Sequence, residues 1–470
     1  MKIRFVKSID DLKKKKDFTE VILKEKIKQS RFIVKNGREI LEVKTEEKKK
    51  INRRKWIILV RGIIRLAKNY GVEKIILNRD ELIDFPNLEK DNLGQLFAEA
   101  TEMANYEFRK YKKKPKEGWR DIKEIILISK QSGRELSDFR KAIQKGQMVA
   151  KRINYARELA NISGGDLTPK KLVSEIRKII KGTKIKMKVL GEKEMKKIKM
   201  NGVLAVGQGS KEQSQFIILE YKNAKQTTDK PTVLVGKGVT FDSGGIDTKP
   251  HPHGLEMMMD MSGAASVLST LLAVNDLEVK KNVVVLIPAV ENMPSGSSMR
   301  PGDVIKMYNG LNVEIGHTDA EGRLILADAL AYAKKFKPER VIDVATLTGA
   351  ALVALGTKAT AMLTRDNQLA QKTEAVAEKT GDYVWRLPLW EEYEGDIVGE
   401  RGDIANINTK AKPGDGSTIT AGIFLWNFAK KYDSWMHLDI APRMTADSNE
   451  QLSKGAAAPA VRLLVKLLEE

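Results

Sequence analysis

The stretch VGKGVTFDSGGIDTKP, residues 235–250, joins an apolar run to a glycine-rich segment that carries charged side chains. A second stretch, HTDAEGRLILADAL at 317–330, also places acids directly before an apolar run. Charges are costly inside a protein unless they are paired or bind a metal, so acids in such surroundings indicate a cation site. The candidate carboxylates are Asp242, Asp260, Asp319 and Glu321.

Oxygen atoms must supply most ligands of such a site, because the 470 residues include four His and no Cys. Disulfides are excluded for the same reason. A carboxylate shared by two divalent ions lets them lie roughly 3.5–4 Å apart, and Asp319 and Glu321 stand two residues apart in a predicted turn. One Asp-x-Glu pair alone more often caps a helix or faces solvent, so the prediction rests on the whole set.

Short apolar runs alternate with helical periodicity, which predicts an α/β fold. Buried strands are expected at 215–221, 232–235, 282–289, 340–344 and 435–440, with helices at 262–274 and 321–336. They predict a C-terminal domain over residues 166–470 with a central mixed sheet flanked by helices. Ligands of doubly wound sheets lie beyond the strand ends, where the candidate acids fall.

A smaller N-terminal α/β domain is predicted over residues 1–135. Helices near 49–70 and 92–111 alternate there with strands near 74–77 and 124–129. Residues 136–165 read as a connecting helix and loop, since helical periodicity ends in the turn-rich sequence NISGGDLTP.

The net charge of +21 is distributed unevenly. Residues 1–200 carry 54 Lys and Arg against 28 Asp and Glu, or +26, whereas residues 201–470 carry 29 against 34, or −5. A basic half suits binding of nucleic acid or another polyanion. The alternative is lysine on solvated faces, favoured by a lysine-rich genome or a hot habitat. The lysine runs at 13–16, 48–50 and 112–114 favour this alternative, because few aromatic residues interleave them.

No apolar run approaches the roughly 18–20 residues of a membrane span. The first 16 residues also lack the apolar block of a secretory signal. We therefore expect a cytoplasmic protein without membrane association.

Several longer motifs occur in one order along the chain. They are VGKGVTFDSGG, MMMDMSGAA, ENMPSG, RPGDV, TDAEGRL and DVATLTGA, between about residues 233 and 355. On these motifs the chain resembles the leucyl aminopeptidases, which are hexameric two-metal cytosolic exopeptidases. The likeness continues through AGIFL and HLDIA, and HTDAEGRL matches seven of the eight positions of the family motif NTDAEGRL.

The resemblance implies a metallo-aminopeptidase with two divalent ions. One ion would be bound by the residues matching Lys237, Asp242, Asp260 and Glu321, and the other by those matching Asp242, Asp319 and Glu321. Lys237 must then be neutral to donate a lone pair, which burial beside two cations favours. Zn²⁺ or Mn²⁺ is expected, and Mg²⁺ or Co²⁺ also suits these ligands.

The resemblance also implies the chemistry. A metal-bridging hydroxide would attack the scissile carbonyl of a peptide whose free N-terminal amine binds an ion. Lys249 would stabilise the developing oxyanion, and Arg323 would hold a bicarbonate that acts as general base. Leucine and other apolar N-terminal residues are the expected preference, and blocked peptides should be poor substrates. The residues implied to contact substrate are Met257, Thr346, Leu347, Gly349 and His317.

Some positions depart from the family pattern. His317 stands where the family has asparagine, Pro442 follows HLDIA where the family has glycine, and KGAAAPAVR at 454–462 lacks a usual glycine. These changes leave specificity less determined than mechanism. His251 and His253 look like a metal pair, but their match to a loop beside the site argues against ligation.

The resemblance further implies a homohexamer, a dimer of trimers with the N-terminal domains outside. The basic half would then face outward, which motivates the hypothesis that the oligomer also binds nucleic acid. A two-metal phosphoesterase shares the acidic cluster and is the enzymatic alternative, although it needs no free substrate amine.

Overall fold

The computed structural model describes residues 1–12, 17–226, 228–410, 412 and 414–470. The lysine run at 13–16 lies outside the described residues. The chain forms two compact units, Met1–Asn154 with Ala446–Lys454, and Tyr155–Thr445 with Gly455–Glu470. The division falls inside one continuous helix, Gly133–Ala160. Nothing in the sequence pattern had indicated that Ala446–Lys454 belongs to the first unit.

The first unit contains a six-stranded sheet. Its strands are β1 Lys2–Val6, β2 Thr19–Lys24, β3 Arg31–Lys35, β4 Arg38–Lys44, β5 Lys74–Asn78 and β6 Glu124–Ile128, and its helices are α1 Arg53–Asn69, α2 Arg79–Leu82, α3 Leu93–Asn105 and most of α4 Gly133–Ala160. The strand order is β1-β6-β5-β2-β4-β3, and only the β3–β4 pair is antiparallel in that sheet as described. The predicted N-terminal α/β fold is confirmed, although β1 to β4 were not foreseen.

The second unit is the larger one. Its strands are β7 Lys186–Leu190, β8 Gln215–Lys222, β9 Thr232–Gly236, β10 Gly238–Asp242, β11 Asn282–Asn292, β12 Val304–Lys306, β13 Asn312–Glu314, β14 Arg340–Ala345, β15 Thr360–Leu363, β16 Val384–Arg386, β17 Ile404–Ala405 and β18 Trp435–Asp439. Its helices are α5 Pro169–Ile179, α6 Glu192–Lys197, α7 Asn201–Gly207, α8 Ser262–Asp276, α9 Gly322–Ala333, α10 Gly349–Leu355, α11 Asn367–Thr380, α12 Ser417–Ala429 and α13 Val461–Glu469.

The predicted mixed sheet is confirmed in this unit. Its order is β16-β15-β18-β14-β9-β11-β8-β7, and β10 adds to β11. The pairs β11–β9, β9–β14 and β14–β18 are parallel, so these strands end at the same edge of the sheet. Every residue of β9 and β18 is buried, as expected for inner strands of a sheet that has helices packed on it. Helix α8 packs on β9 and β14, and α9 packs on β9, β11 and β14.

One helical segment corrects the expectation that no apolar run is long enough to span a membrane. His253–Asp276, a 3-10 turn continued by α8, has 24 residues and the required apolar composition. Its most apolar window is 89% buried inside the protein, which is the environment of a core helix. Glu256 and Asp260 interrupt the apolar residues near the start of this segment, so it did not stand out in the sequence as one long apolar run.

Candidate metal centre

The five predicted metal ligands come together at the edge where the parallel strands end. Lys237 follows β9, Asp242 ends β10, and Asp260 lies in the 3-10 helix before α8. Asp319 and Glu321 directly precede α9. Carboxylate oxygens of Asp242, Asp319 and Glu321 lie within 4.8 Å of one another. The topology of the sheet therefore assembles residues that are as many as 84 positions apart in the sequence.

Lys237 is buried and lies between two of the acids. Its Nζ is 2.9 Å from Asp260 Oδ2 and 2.8 Å from Glu321 Oε1, and it donates a hydrogen bond of 2.8 Å to the Thr346 carbonyl. Burial opposes the charge on this lysine, but the carboxylates of Asp260, Glu321 and Asp242 outweigh it and raise its pKa above the ordinary value. The ammonium group of Lys237 therefore gives these carboxylates positive charge, as a metal ion bound between them would also do.

Lys249 reaches the other side of the cluster. Its Nζ is 2.8 Å from Asp242 Oδ2 and 2.5 Å from Asp319 Oδ1. Burial again disfavours the charge, yet the nearby carboxylates, led by Asp242, raise the pKa of Lys249. The site therefore has two lysines facing four acids.

Three of the acids, Asp260, Asp319 and Glu321, have carboxyl groups whose charged form is disfavoured by burial. Burial raises the pKa of Asp319 to about 7, with repulsion from Asp242 and Glu321 adding to the effect. Burial also raises the pKa values of Asp260 and Glu321. Asp260 Oδ2, Asp319 Oδ1 and Glu321 Oε1 contact lysine but have no hydrogen-bond partner of suitable geometry among the described residues. Crowded buried carboxylates of this kind fit divalent cations with oxygen ligands.

Two glycines permit the close packing of this centre. A Cβ on Gly322 would lie 2.6 Å from Lys237 Cε and 2.7 Å from its Nζ. Gly244 has φ of +92°, and a Cβ there would lie 2.4 Å from the Asp247 carbonyl oxygen. Larger residues at either position would displace the lysine or the loop that follows Asp242.

Asn292 and Thr346 hold acids of the centre in place, and the sequence indicated this role for neither, since Thr346 was implied to contact substrate. Asn292, at the end of β11, donates to Asp242 Oδ1 at 2.9 Å and to the Thr318 carbonyl at 3.2 Å. Thr346 donates through its hydroxyl to Asp260 Oδ1 at 2.6 Å. Asn292 falls within the quoted motif ENMPSG, so its position after a predicted strand was the available signal.

A cleft of about 790 Å³ adjoins the acids and collects several predicted residues. Asp319, Arg323, His317, Leu347 and Gly349 all line it. The remaining lining residues include Ala350, Val353, Leu387, Ile407, Thr348, Thr418 and Ile419. The cleft therefore combines apolar side chains on its wall with the charged side chains of Asp319 and Arg323.

Arg323 is buried on the first turn of α9 and donates to the Asn406 carbonyl at 2.6 Å. Its Nε has no hydrogen-bond partner among the described residues. Burial lowers the pKa of Arg323 to about 10, while Glu321 and Asp439 oppose that shift. A buried guanidinium with an unused donor beside an open cleft suits a small anion.

Some predicted residues lie elsewhere. Met257 is half-buried in the 3-10 helix His253–Met261 and is not part of the cleft lining in the described structure. His251 and His253 are exposed and outside the carboxylate cluster. Pro442 is buried in the turn Ala441–Arg443, which follows β18.

The raised acid pKa values predict opposite pH responses with and without metal. An aspartate whose pKa moves from 3.8 to about 7 on folding destabilises the metal-free protein as pH rises through that window. Metal binding needs these carboxylates deprotonated, so Mn²⁺ should stabilise the protein more at about pH 8 than at about pH 5.5. Thermal unfolding with and without Mn²⁺ measures both effects. Equal Mn²⁺ shifts at the two pH values, or a shift retained in Asp319→Asn, would contradict the site.

The chain is similar in sequence to known proteins of one family. Residues 154–465 match the family described as the cytosol aminopeptidase family, catalytic domain. A probable cytosol aminopeptidase of Chromobacterium violaceum is 40% identical over 367 residues, which cover 78% of this chain and 69% of the relative. A probable cytosol aminopeptidase of Nitrosococcus oceani is 41% identical over 377 residues, which cover 80% and 73%.

Solved structures match over nearly the whole chain. The bottromycin maturation enzyme BotP in complex with Mn has a TM-score of 0.85 and 29% identity, and the match covers 97% of this chain and 99% of that one. A mutant of tomato leucine aminopeptidase has a TM-score of 0.81 and 29% identity, with coverage of 94% and 83%.

Proposed function

Because this chain belongs to the cytosol aminopeptidase family and is a metal-dependent aminopeptidase, we propose that it releases leucine and other apolar residues from peptides with a free N-terminus. The observation that carries this proposal is the set of buried carboxylates beside an apolar cleft. Apolar side chains such as Leu347 and Ile407 on the cleft wall favour apolar substrates.

Five residues would hold two divalent ions, and these are Lys237, Asp242, Asp260, Asp319 and Glu321. Zn²⁺ or Mn²⁺ is proposed, and one similar structure carries Mn. When bound, the ions would supply an activated water and polarise the scissile carbonyl. Lys237 would give up its proton to act as a ligand, because bound cations would offset the carboxylate charges that raise its pKa among protein groups alone.

Lys249 would stabilise negative charge that develops on the substrate carbonyl oxygen. Its Nζ already lies within 2.8 Å of two acids of the centre, so a substrate oxygen bound there would be within its reach. Arg323 would hold a bicarbonate through its guanidinium, and that anion would act as the proton acceptor. Among the described residues that line the cleft, the one histidine is His317, whose side chain is about half exposed.

The first test is hydrolysis of L-leucine p-nitroanilide by chelator-stripped protein. Activity should return with Mn²⁺ or Zn²⁺, increase with bicarbonate, and be absent in Asp260→Ala, which removes a metal ligand. N-acetyl-leucine p-nitroanilide should not be cleaved, because a blocked amine is a poor ligand. Cleavage of p-nitrophenyl phosphate instead of the anilide would favour the two-metal phosphoesterase.

We also propose that the chain forms a cytoplasmic homohexamer arranged as a dimer of trimers, as its family membership suggests. The second unit exposes large apolar side chains that an interface would cover, with Trp385 64% and Trp390 62% exposed. Light scattering should give six times the chain mass of 52.6 kDa. A monomer at micromolar concentration would contradict the assembly.

Nucleic-acid binding is a second proposed function, favoured by a loop of the first unit. The loop at 106–120 carries exposed lysines at 113, 114 and 116 beside Tyr111, which is 54% exposed. Phe108 contacts Tyr111 with ring centroids 5.6 Å apart. An exposed aromatic ring among lysines suits stacking of bases and pairing with phosphates.

A gel-shift titration at low salt tests this second function. Wild type and the peptidase-inactive Glu321→Gln should shift a labelled oligonucleotide equally, since the loop and the metal centre lie in different units. Combining Lys113→Glu with Lys114→Glu should weaken binding by about tenfold or more and reduce its salt dependence. Absence of any shift for wild type would leave the basic half as a solvated surface.

A further inference from the structure

Asp439, the last residue of β18, is fully buried and uses both of its carboxylate oxygens. Oδ1 accepts hydrogen bonds from the backbone amides of Leu347 at 3.0 Å and Ala441 at 3.1 Å. Oδ2 accepts from the Thr348 hydroxyl at 2.7 Å. A buried carboxylate is costly unless such bonds compensate it. Two of these three donors belong to the segment that follows β14.

The same segment is tied to the metal centre from its other side. The carbonyl of Thr346 accepts from Lys237 Nζ at 2.8 Å, and its hydroxyl donates to Asp260 Oδ1 at 2.6 Å. Thr346, Leu347 and Thr348 are consecutive. The short segment is therefore held between two predicted metal ligands on one side and Asp439 on the other.

Thr348 extends this contact to a second element of the cleft. Its Oγ lies 2.8 Å from the Thr418 hydroxyl, on the first turn of α12. Since the single hydroxyl proton of Thr348 is donated to Asp439, Thr418 must donate to Thr348. Leu347, Thr348 and Thr418 all line the cleft. One buried carboxylate thus sets the position of two cleft walls.

We propose that Asp439 is a positioning residue that, through Leu347 and Thr348, holds the substrate-contacting wall of the cleft at a set distance from the metal centre. This inference rests on the proposed aminopeptidase function, because it assigns the wall to the substrate. Asp439 itself touches no reacting atom. Displacing a substrate-positioning wall by about 1 Å costs on the order of 10²-fold in rate.

Thr348→Val tests the proposal, because it removes the hydroxyl and keeps the shape of the side chain. The value of kcat/KM for L-leucine p-nitroanilide should fall about 10- to 100-fold, and discrimination between leucine and alanine p-nitroanilides should shrink. Mn²⁺ affinity measured by calorimetry should remain near wild type, since Thr348 contacts none of the acids of the centre. Thr348→Ser restores the hydroxyl and should recover most of the activity.

The matched control is Thr364→Val, on a residue that donates to the Trp435 carbonyl at the other end of β18. The Thr364→Val protein should lose about as much stability as Thr348→Val, but its kcat/KM should not change. Amide hydrogen exchange of the peptide spanning 346–349 gives a readout independent of activity, and it should accelerate in Thr348→Val and in Asp439→Asn. Unchanged exchange and kinetics in Thr348→Val, or a parallel loss of Mn²⁺ binding, would overturn the proposal.

The two hypotheses fail in different ways. If wild type binds Mn²⁺ but cleaves no anilide, the proposed substrate class is wrong, and the role of the wall in substrate binding falls with it. If wild type is active and the 346–349 amides already exchange freely, the aminopeptidase stands and the positioning role of Asp439 is wrong.

Discussion

Glu321→Gln should reduce kcat/KM for L-leucine p-nitroanilide by at least about 10³-fold, which corresponds to roughly 4 kcal/mol of transition-state stabilisation. Glu321 is 1% exposed, and its Oε1 lies 2.8 Å from Lys237 Nζ in the middle of the carboxylate cluster. The amide keeps the volume of the side chain but removes the negative charge that a shared cation needs. Calorimetric titration with Mn²⁺ should show fewer or weaker sites than wild type.

The same change should leave the metal-free protein folded. Burial raises the pKa of Glu321, so its charged form is disfavoured in the folded state and a neutral glutamine relieves that cost. The melting temperature without metal should stay equal or rise, while the stabilisation by Mn²⁺ should largely disappear. Glu339→Gln is the control, because Glu339 accepts from Thr232 at the opposite end of β9. If the activity of Glu321→Gln stayed close to that of wild type, Glu321 would not be a metal ligand.

Lys249→Met should lower kcat by about 10²- to 10³-fold with a small change in KM. This is the typical cost of removing one donor that stabilises a developing oxyanion. Methionine retains the apolar stem of the lysine and removes only the ammonium group. Carboxylates raise the pKa of Lys249, so the side chain stays charged across neutral pH and its loss should lower the whole pH profile.

Mn²⁺ binding separates this role from a structural one. The ammonium of Lys249 lies at Asp242 and Asp319, where it competes with a cation. Lys249→Met should therefore bind Mn²⁺ at least as tightly as wild type while it turns over slowly. Lys222→Met removes a 73% exposed lysine that pairs only with Glu220 in the described structure, and should change neither property. Weakened Mn²⁺ binding in Lys249→Met would indicate a structural role.

These two variants, with the pH response of the metal-free protein, test separate parts of one centre. On the proposed function, Glu321 and the acids around it would bind the metal, whereas Lys249 would accelerate the reaction of a bound substrate. Arg323 has a different environment, because its guanidinium donates to the Asn406 carbonyl and its side chain lines the cleft. Loss of activity in all variants together with loss of folding would speak against this division.

The sequence by itself predicted a cation site and determined the α/β architecture around it. Buried acids are costly unless they are paired or bind a metal, so the acids at 235–250 and 317–330 predicted a cation site, and the family motifs implied the roles of the individual acids and lysines. Strands of the central sheet such as β9 and β14 were predicted because buried parallel strands are continuous apolar runs. Helix boundaries were less certain, as with α9, which begins at Gly322 and ends in a 3-10 turn.

The tertiary structure alone decided which polar residues support the centre. Asn292, Thr346 and Asp439 are common polar residues at strand ends. All three fall within motifs quoted above, but the motifs do not indicate which side chains or amides these residues contact. Their role follows from long-range contacts, as between Asp439 and Thr348, which are 91 residues apart. The backbone conformation of Ala458 was likewise not predictable from its residue type. Ala458 adopts φ of +55° in the segment where the family pattern has glycine. Distances across the sheet are set by packing, and residue order along the chain does not specify them.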